Sequence, residues 1–120
     1  MPYRLLIVED ERELIEVYKI ALPRYDVKIV DIAMDGMEAI EKYRTLKNEI
    51  DLVLMDHRMP ILSGLEASRE ILNFDPGAVI VFGSADVQIR GEAKQIGVKL
   101  FKKKPFGIKE LVSCFQALLG

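Results

Sequence analysis

Short runs of apolar residues alternate along the chain with longer segments in which apolar residues recur every three or four positions. Three runs are apolar almost throughout, near residues 5–8, 51–55 and 78–82. Such runs are typical of strands buried on both faces of a parallel sheet. Two further runs, at 27–30 and 98–103, are mixed, and the second carries three lysines. The pattern predicts five strands, of which three are central and two lie at the edges.

Segments with helical spacing separate these strands. Helices are predicted near residues 12–22, 39–46, 64–72, 87–96 and 108–119. Pro23 ends the first helix, and Gly91 interrupts the fourth, which we expect to be short or poorly formed. Strands that alternate with helices favour an α/β fold with a parallel sheet and right-handed crossovers. With the most apolar strands in the centre, the strand order is 2-1-3-4-5, a flavodoxin-like doubly wound sheet with five helices.

Residues that can take part in chemistry follow four of the predicted strands. Glu9 and Asp10 follow the first strand, Asp56 the third, Ser84 the fourth and Lys104 the fifth. Because the carboxyl ends of parallel strands meet at one edge of the sheet, we expect these side chains to lie close together. Three carboxylates in one crevice repel one another, and a divalent cation would relieve that repulsion. Ligation by oxygen alone suits Mg²⁺.

Mg²⁺ and Lys104 at one site would suit a phosphoryl group. The metal, the Lys104 ammonium and the Ser84 hydroxyl could each hold one of its oxygens. Asp56 is the best candidate for the acceptor, because carboxylates can form acyl phosphates. The alternative interpretation is that the acids are separate loop residues and that Lys104 is a surface charge.

Four motifs, in this order and at these strand ends, give the chain a specific resemblance to a known family. They are Val8-Glu9-Asp10, Asp56-His57-Arg58-Met59-Pro60 followed by Gly64, Ser84-Ala85, and Lys104-Pro105-Phe106. Together they resemble the response-regulator receiver domain, the CheY-like module of two-component signalling. The resemblance covers the whole chain, and we expect a single receiver domain at residues 1–120.

The resemblance implies a site and a donor. Asp56 would accept a phosphoryl group from a histidine kinase or a phosphotransfer protein. Asp10 and Asp56 would bind Mg²⁺, with Mn²⁺ as a substitute, through their side chains. Arg58 would bind the metal through its backbone carbonyl, and Glu9 would bind it directly or through water. Lys104 would pair with Asp56 or with the phosphoryl group. The resemblance also implies that the Lys104-Pro105 peptide bond is cis, as it often is in this family.

The resemblance also implies a switch. The Ser84 hydroxyl would swing toward the phosphoryl group, and Phe101 would move into the space that is left. The fourth helix, fifth strand and fifth helix would then present the signal. Gly83 stands where the family usually has a larger residue, and we expect it to loosen the strand end. The segment from Ser84 to Lys104 is about two residues shorter than in common members, which weakens partner inference by analogy.

Composition and charge limit the classes of partner that the chain is expected to bind. The net charge is −2, and no DNA-binding module is present, so direct binding to nucleic acid is not expected. Cations gather on the predicted signalling face, where they would favour an acidic protein partner, or would simply form a solvated edge: Arg90, Lys94, Lys102, Lys103 and Lys109. This face or the last helix could also form a homodimer.

Further expectations concern the cellular compartment and three residues near or outside the site: Cys114, His57 and Arg58. No apolar run is long enough to span a membrane, and the single cysteine, Cys114, fits a reducing compartment, so a cytoplasmic location is expected. Cys114 itself is interpreted as a packing residue. His57 and Arg58 adjoin the acceptor and are interpreted as modulators of phosphoryl access or lifetime.

Two other functions stay open. One is the receiver fragment of a longer regulator whose output domain was removed. The other is a Mg²⁺-dependent phosphatase or phosphotransferase for small molecules. Aspartate-nucleophile phosphatases of related topology usually place a second Asp two residues after the first, where this chain has Arg58.

Overall fold

The computed structural model describes residues 2–120. Over that range the strands are β1 (Tyr3–Val8), β2 (Val27–Ala33), β3 (Leu52–Met55), β4 (Ile80–Ser84) and β5 (Leu100–Lys103). The α-helices are α1 (Arg12–Ala21), α2 (Gly36–Leu46), α3 (Gly64–Phe74), α4 (Arg90–Ile96) and α5 (Ile108–Leu119). Each strand is followed by a helix, so the predicted alternation is confirmed.

The strands form one parallel sheet in the order β2-β1-β3-β4-β5. This is the predicted flavodoxin-like order, with the three most apolar strands in the centre and the mixed strands β2 and β5 at the edges. Alternate residues of a strand face opposite sides of the sheet. Leu6 and Val8 of β1 therefore join the core under α2, α3 and α4, while Leu5 and Ile7 join the core under α1 and α5.

Several element boundaries differ from the sequence-based expectation by one to three residues, and two of them have a clear physical reason. Pro23 lies inside a 3-10 turn, Leu22–Tyr25, that continues directly from α1. The fixed φ of proline suits the first turn of a helix, where its missing N–H would have no partner. The fourth strand begins at Ile80, two residues later than predicted, and extends through Ser84, because it pairs with β5 up to Ser84 opposite Lys103.

The expectation of a short fourth helix is confirmed. A 3-10 turn at Val87–Ile89 precedes α4, which has seven residues and stops at Gly97. Gly97 has a φ of +108°, a conformation that glycine adopts without steric cost. The short α4 therefore sits directly between the end of β4 and the start of β5.

The loop between β3 and α3 is held against the strand end by a close backbone approach. The N–H of Gly64 donates to the carbonyl oxygen of His57 at 3.0 Å. A Cβ atom on Gly64 would lie 1.8 Å from the backbone oxygen of Asp56, so only glycine fits there. The Ser63 hydroxyl accepts the N–H of Glu66 at 3.2 Å and caps α3. These contacts fix the backbone around Asp56.

No helix between residues 2 and 120 is both long and apolar enough to cross a membrane.

Candidate functional site

Three carboxylates meet at the carboxyl edge of the sheet. β1 and β3 are neighbours, with Val8 opposite Met55, so the residues that follow each strand lie side by side. Glu9, Asp10 and Asp56 each offer a carboxylate oxygen, and these oxygens lie within 4.8 Å of one another. Glu9 and Asp56 are buried, with 3% and 8% of their surface exposed, and Asp10 is more open to solvent. The acidic residues predicted to converge do so.

Lys104 is the cation of this cluster. Its Nζ atom lies 2.8 Å from Oε1 of Glu9 and 3.4 Å from Oδ1 of Asp56. Its backbone N–H donates to the carbonyl oxygen of Ser84 at 3.0 Å, which continues the β4–β5 pairing by one residue. Three carboxylates and one ammonium leave a formal charge of −2 at this edge. That residual charge equals the charge a divalent cation would neutralise.

Burial makes these charges costly. Burial raises the pKa of Glu9, against the hydrogen bond from Lys104 that lowers it. Burial likewise raises the pKa of Asp56, against the charge of Lys104. For Lys104, burial lowers the pKa, but the Glu9 hydrogen bond and the Asp56 charge outweigh it, so the pKa is raised. The carboxylates therefore receive less compensation from the protein than they lose by leaving water.

The donor set fits magnesium. Carboxylate oxygens and a backbone carbonyl are hard ligands, and Mg²⁺ usually takes one or two carboxylates and keeps several waters. The more exposed position of Asp10 leaves an open side through which such waters could enter. Glu9, Asp10 and Asp56 are the residues that would hold the ion. Its positive charge, added to that of Lys104, would offset the free-energy cost of burying the carboxylates of Glu9 and Asp56.

Ser84 and Phe101 lie on adjacent strands beside the cluster. Ser84 is buried, and its hydroxyl oxygen accepts the N–H of Asp86 at 3.0 Å, which leaves its own O–H able to donate. Phe101 is only 7% exposed. Its ring stacks on Phe82, with the two centroids 5.8 Å apart and the planes at 10°. The aromatic side chain that the resemblance implied would move inward is already buried.

His57 and Arg58 leave the strand in different environments. Arg58 is exposed, and the role of its backbone carbonyl as a metal ligand stays a prediction. His57 is half-buried, its ring centroid is 6.0 Å from that of Phe82, and its Nδ1 has no hydrogen-bond partner within residues 2–120. His57 therefore contacts the packed aromatic side of β4.

The structure gives Gly83 a different role from the one expected. Gly83 is buried inside β4 opposite Lys102, so the strand continues through it. A Cβ atom there would lie 3.1 Å from the ring of Phe106, tighter than ordinary contact. The glycine therefore accommodates Phe106 against the sheet instead of loosening the strand end. The Lys104–Pro105 peptide bond is cis, as the resemblance implied.

Tyr18 is a neighbour of the site that sequence reasoning missed. It is 2% exposed, and burial together with the negative charges of Glu9 and Asp56 raises the pKa of its hydroxyl. It also lines a cavity of about 400 Å³ between α1 and the segment that follows Lys104. Its place in the apolar stripe of α1 gave no signal that distinguished it from an ordinary core residue.

Comparisons with known proteins agree with this geometry. The family model "Response regulator receiver domain" matches residues 5–116. The chemotaxis protein CheY of Thermotoga maritima is 38% identical over 118 residues, which cover 97% of each chain. The transcriptional regulatory protein CutR of Streptomyces coelicolor is 32% identical over 117 residues, or 96% of this chain and 52% of CutR.

A solved structure shares the fold closely. It is that of a CheX–CheY–BeF3–Mg²⁺ complex from Borrelia burgdorferi. The match has a TM-score of 0.94 at 27% identity and covers 100% of this chain and 91% of the other. With the family model matched from β1 to α5, this chain belongs to the response regulator receiver domain family.

Proposed function

We propose that the chain is a phosphorylation switch that accepts a phosphoryl group on Asp56 from the phosphohistidine of a histidine kinase or a phosphotransfer protein. The bond between phosphorus and the donor imidazole nitrogen breaks, and a bond between phosphorus and an Asp56 carboxylate oxygen forms. The released imidazole takes up a proton from water. The observation that carries this proposal is the convergence of Glu9, Asp10 and Asp56 around the ammonium of Lys104 at the strand ends.

Each of the surrounding groups has a role in this transfer. Glu9, Asp10, Asp56 and the backbone carbonyl of Arg58 would hold Mg²⁺, or Mn²⁺ in its place. Once bound, the metal supplies positive charge that offsets the charge on the phosphoryl oxygens. The Lys104 ammonium donates to one of the phosphoryl oxygens, since it has three donors and already lies beside Asp56. The Ser84 O–H donates to another phosphoryl oxygen.

The signal leaves through the face formed by α4, β5 and α5. Ser84 closes β4, and Phe101 lies in the neighbouring strand β5, so a shift at Ser84 reaches this face over a short distance. Phosphorylation changes the population of two states only if the phosphoryl group binds one of them better. A downstream protein that recognises the favoured state then reads the change, and the cations of this face favour an acidic one.

The test is phosphorylation by acetyl phosphate. Incubation of the chain with acetyl phosphate and Mg²⁺ should add the mass of one phosphoryl group, measured on the intact protein. Asp56→Asn should abolish the adduct, because an amide cannot form an acyl phosphate. Asp26→Asn is the matched control, because Asp26 precedes β2 and so lies at the amino ends of the strands, away from the site. No adduct on the unaltered chain in the presence of Mg²⁺ would overturn the proposal.

Two alternatives have their own measurements. The match to half of CutR raises the option that this receiver works inside a longer regulator, and the size of the native protein in its source cells decides that. A small-molecule phosphatase would turn over phosphate esters with a rate that Asp56→Asn abolishes. Arg58 disfavours the second alternative, since it occupies the place of the second aspartate that such enzymes usually carry.

A further inference from the structure

The aromatic ring of Phe101 is held by two neighbours that the switch described above does not require. Phe82 and Phe101 are directly opposite each other in the β4–β5 pairing, and both rings are buried. Their near-parallel stacking at 5.8 Å is a favourable geometry for an aromatic pair. The register of the sheet therefore places Phe82 beside Phe101.

The second neighbour comes from α4. The guanidinium carbon of Arg90, the first residue of that helix, lies 5.2 Å from the centroid of the Phe101 ring. That distance falls within the range of a cation–π contact. Arg90 makes no ion pair among residues 2–120, so no carboxylate competes with the ring for its guanidinium. Of the basic residues on this face, Arg90 therefore serves packing as well as surface charge.

We propose that Arg90, together with Phe82, is a positioning residue that holds Phe101 in its buried arrangement before any phosphoryl group is present. The proposal rests on the proposed function for its consequence at Asp56. If the buried ring belongs to the state that the phosphoryl group favours, contacts that bury the ring also raise the affinity of the site for a phosphoryl group. This follows because coupling between two sites is reciprocal.

A continuous set of contacts joins Phe101 to Asp56. The ring of Phe82 stacks on that of Phe101 and also lies 6.0 Å from the ring of His57. His57 is bonded directly to Asp56, and its carbonyl oxygen accepts the N–H of Gly64. Phe82 also precedes Ser84 by two residues, so both side chains face the same side of β4. A change in the packing of Phe101 can thus reach both the acceptor and the hydroxyl.

The first measurement asks whether Arg90 keeps the ring buried. In the full chain with ¹³C-labelled phenylalanine, the Phe101 ring signals are assigned from their loss in Phe101→Leu. A soluble paramagnetic agent then reports their exposure. Arg90→Ala should raise the ratio of exposed to buried rings by about two- to five-fold, the effect of one exposed cation–π contact. Lys94→Ala removes another exposed cation of α4 and should leave the ring unchanged.

The second measurement asks whether the site senses that change. ¹⁹F NMR titration with beryllofluoride and Mg²⁺ gives the affinity of the site for a phosphoryl mimic. Arg90→Ala should weaken that affinity by the factor by which it lowers the buried population of the ring. Arg90→Lys, which retains a cation with a weaker fit over a ring, should restore part of it. If Arg90 only stabilised the fold, the exposure of the Phe101 ring and the affinity for beryllofluoride would not change together.

The outcomes separate the two proposals. Unchanged ring exposure in Arg90→Ala, or a lowered buried population with an unchanged beryllofluoride affinity, would overturn the positioning role. Failure of the unaltered chain to bind beryllofluoride would contradict the proposed phosphoryl site. In that case the ring-exposure measurement still decides whether Arg90 holds Phe101.

Discussion

Lys104 lies closer to Glu9 than to Asp56: its Nζ atom is 2.8 Å from Oε1 of Glu9 and 3.4 Å from Oδ1 of Asp56. The family resemblance implied a pair with Asp56 or with its phosphoryl group. The shorter contact to Glu9 leaves the carboxylate of Asp56 less tightly held. Since an ammonium has three donors, Lys104 can keep Glu9 and still reach a group on Asp56.

The charge balance of this cluster predicts how Mg²⁺ binding changes. Lys104→Met removes the cation and should tighten Mg²⁺ binding by at least about fivefold, the factor expected for losing one nearby like charge. Asp10→Asn should weaken binding for the opposite reason. Isothermal titration with MgCl₂ measures both changes. Lys103→Met is the matched control, since Lys103 is an exposed neighbour on the same segment. Equal affinities in all four proteins would show that these residues do not hold the ion.

Removal of Mg²⁺ should lower the unfolding temperature. A ligand that binds only the folded state stabilises it according to its concentration and affinity. The shift between a chelator and excess Mg²⁺ should therefore be larger in Lys104→Met than in the unaltered chain, and smaller in Asp10→Asn. Thermal unfolding followed by circular dichroism tests this order. A reversed order would contradict the assignment of the charges.

Two glycines give a matched pair of stability predictions. Gly64→Ala places a Cβ atom against the backbone oxygen of Asp56 and should destabilise the chain by about 1–3 kcal/mol, the cost of overpacking. Gly91→Ala lies in α4 with no heavy atom within 4 Å of the new Cβ. Because alanine is the better helix former, this change should stabilise by about 0.5–1 kcal/mol. Urea unfolding of both variants measures the two signs, and equal effects would contradict the prediction.

Ile61 is strained beside the site. Its φ is +70°, and the N–H of Leu62 donates to the carbonyl oxygen of Pro60 at 2.7 Å, so Ile61 is the central residue of a γ-turn. A β-branched residue is unfavourable there, and 78% of the side chain is exposed. Ile61→Asn should therefore stabilise the chain by about 1 kcal/mol, since asparagine occurs at positive φ more readily than a β-branched residue does. Ile20→Asn, at an exposed position in α1, should not stabilise it. Urea unfolding compares the two variants.

The ion pair between Asp51 and Arg4 predicts a pH-dependent stability at the end of the sheet opposite the site. Its carboxylate accepts Nε and Nη2 of Arg4 at 3.1 and 2.9 Å, and the Arg4 hydrogen bond lowers the pKa of Asp51. A lowered pKa gives stability that is present above the unfolded value of about 4 and is lost as the pH falls through the folded value. Urea unfolding over that window should show a smaller acid-induced loss for Asp51→Asn than for the unaltered chain. Glu13→Gln is the control at an exposed residue of α1, and an identical loss in Asp51→Asn would contradict the prediction.

The strand order could be predicted from the sequence because burial on both faces requires apolar residues at every position. Residues 5–8 and 52–55 satisfy that condition, and both lie in the centre of the sheet. Strand ends were predicted less well. Gly83 and Ser84 belong to β4 because β5 continues beside them, and such pairing depends on a neighbour that is distant in sequence.

The sequence by itself determined the alternating fold and which polar residues reach one edge, since the period of apolar residues and the direction of parallel strands fix both. Only the tertiary structure decided the partners. Lys104 bonds Glu9, 95 positions away, Phe82 stacks on Phe101, and Gly83 accommodates Phe106. These contacts depend on distances of a few tenths of an ångström between side chains on different elements. A one-dimensional pattern of polar and apolar residues does not contain those distances.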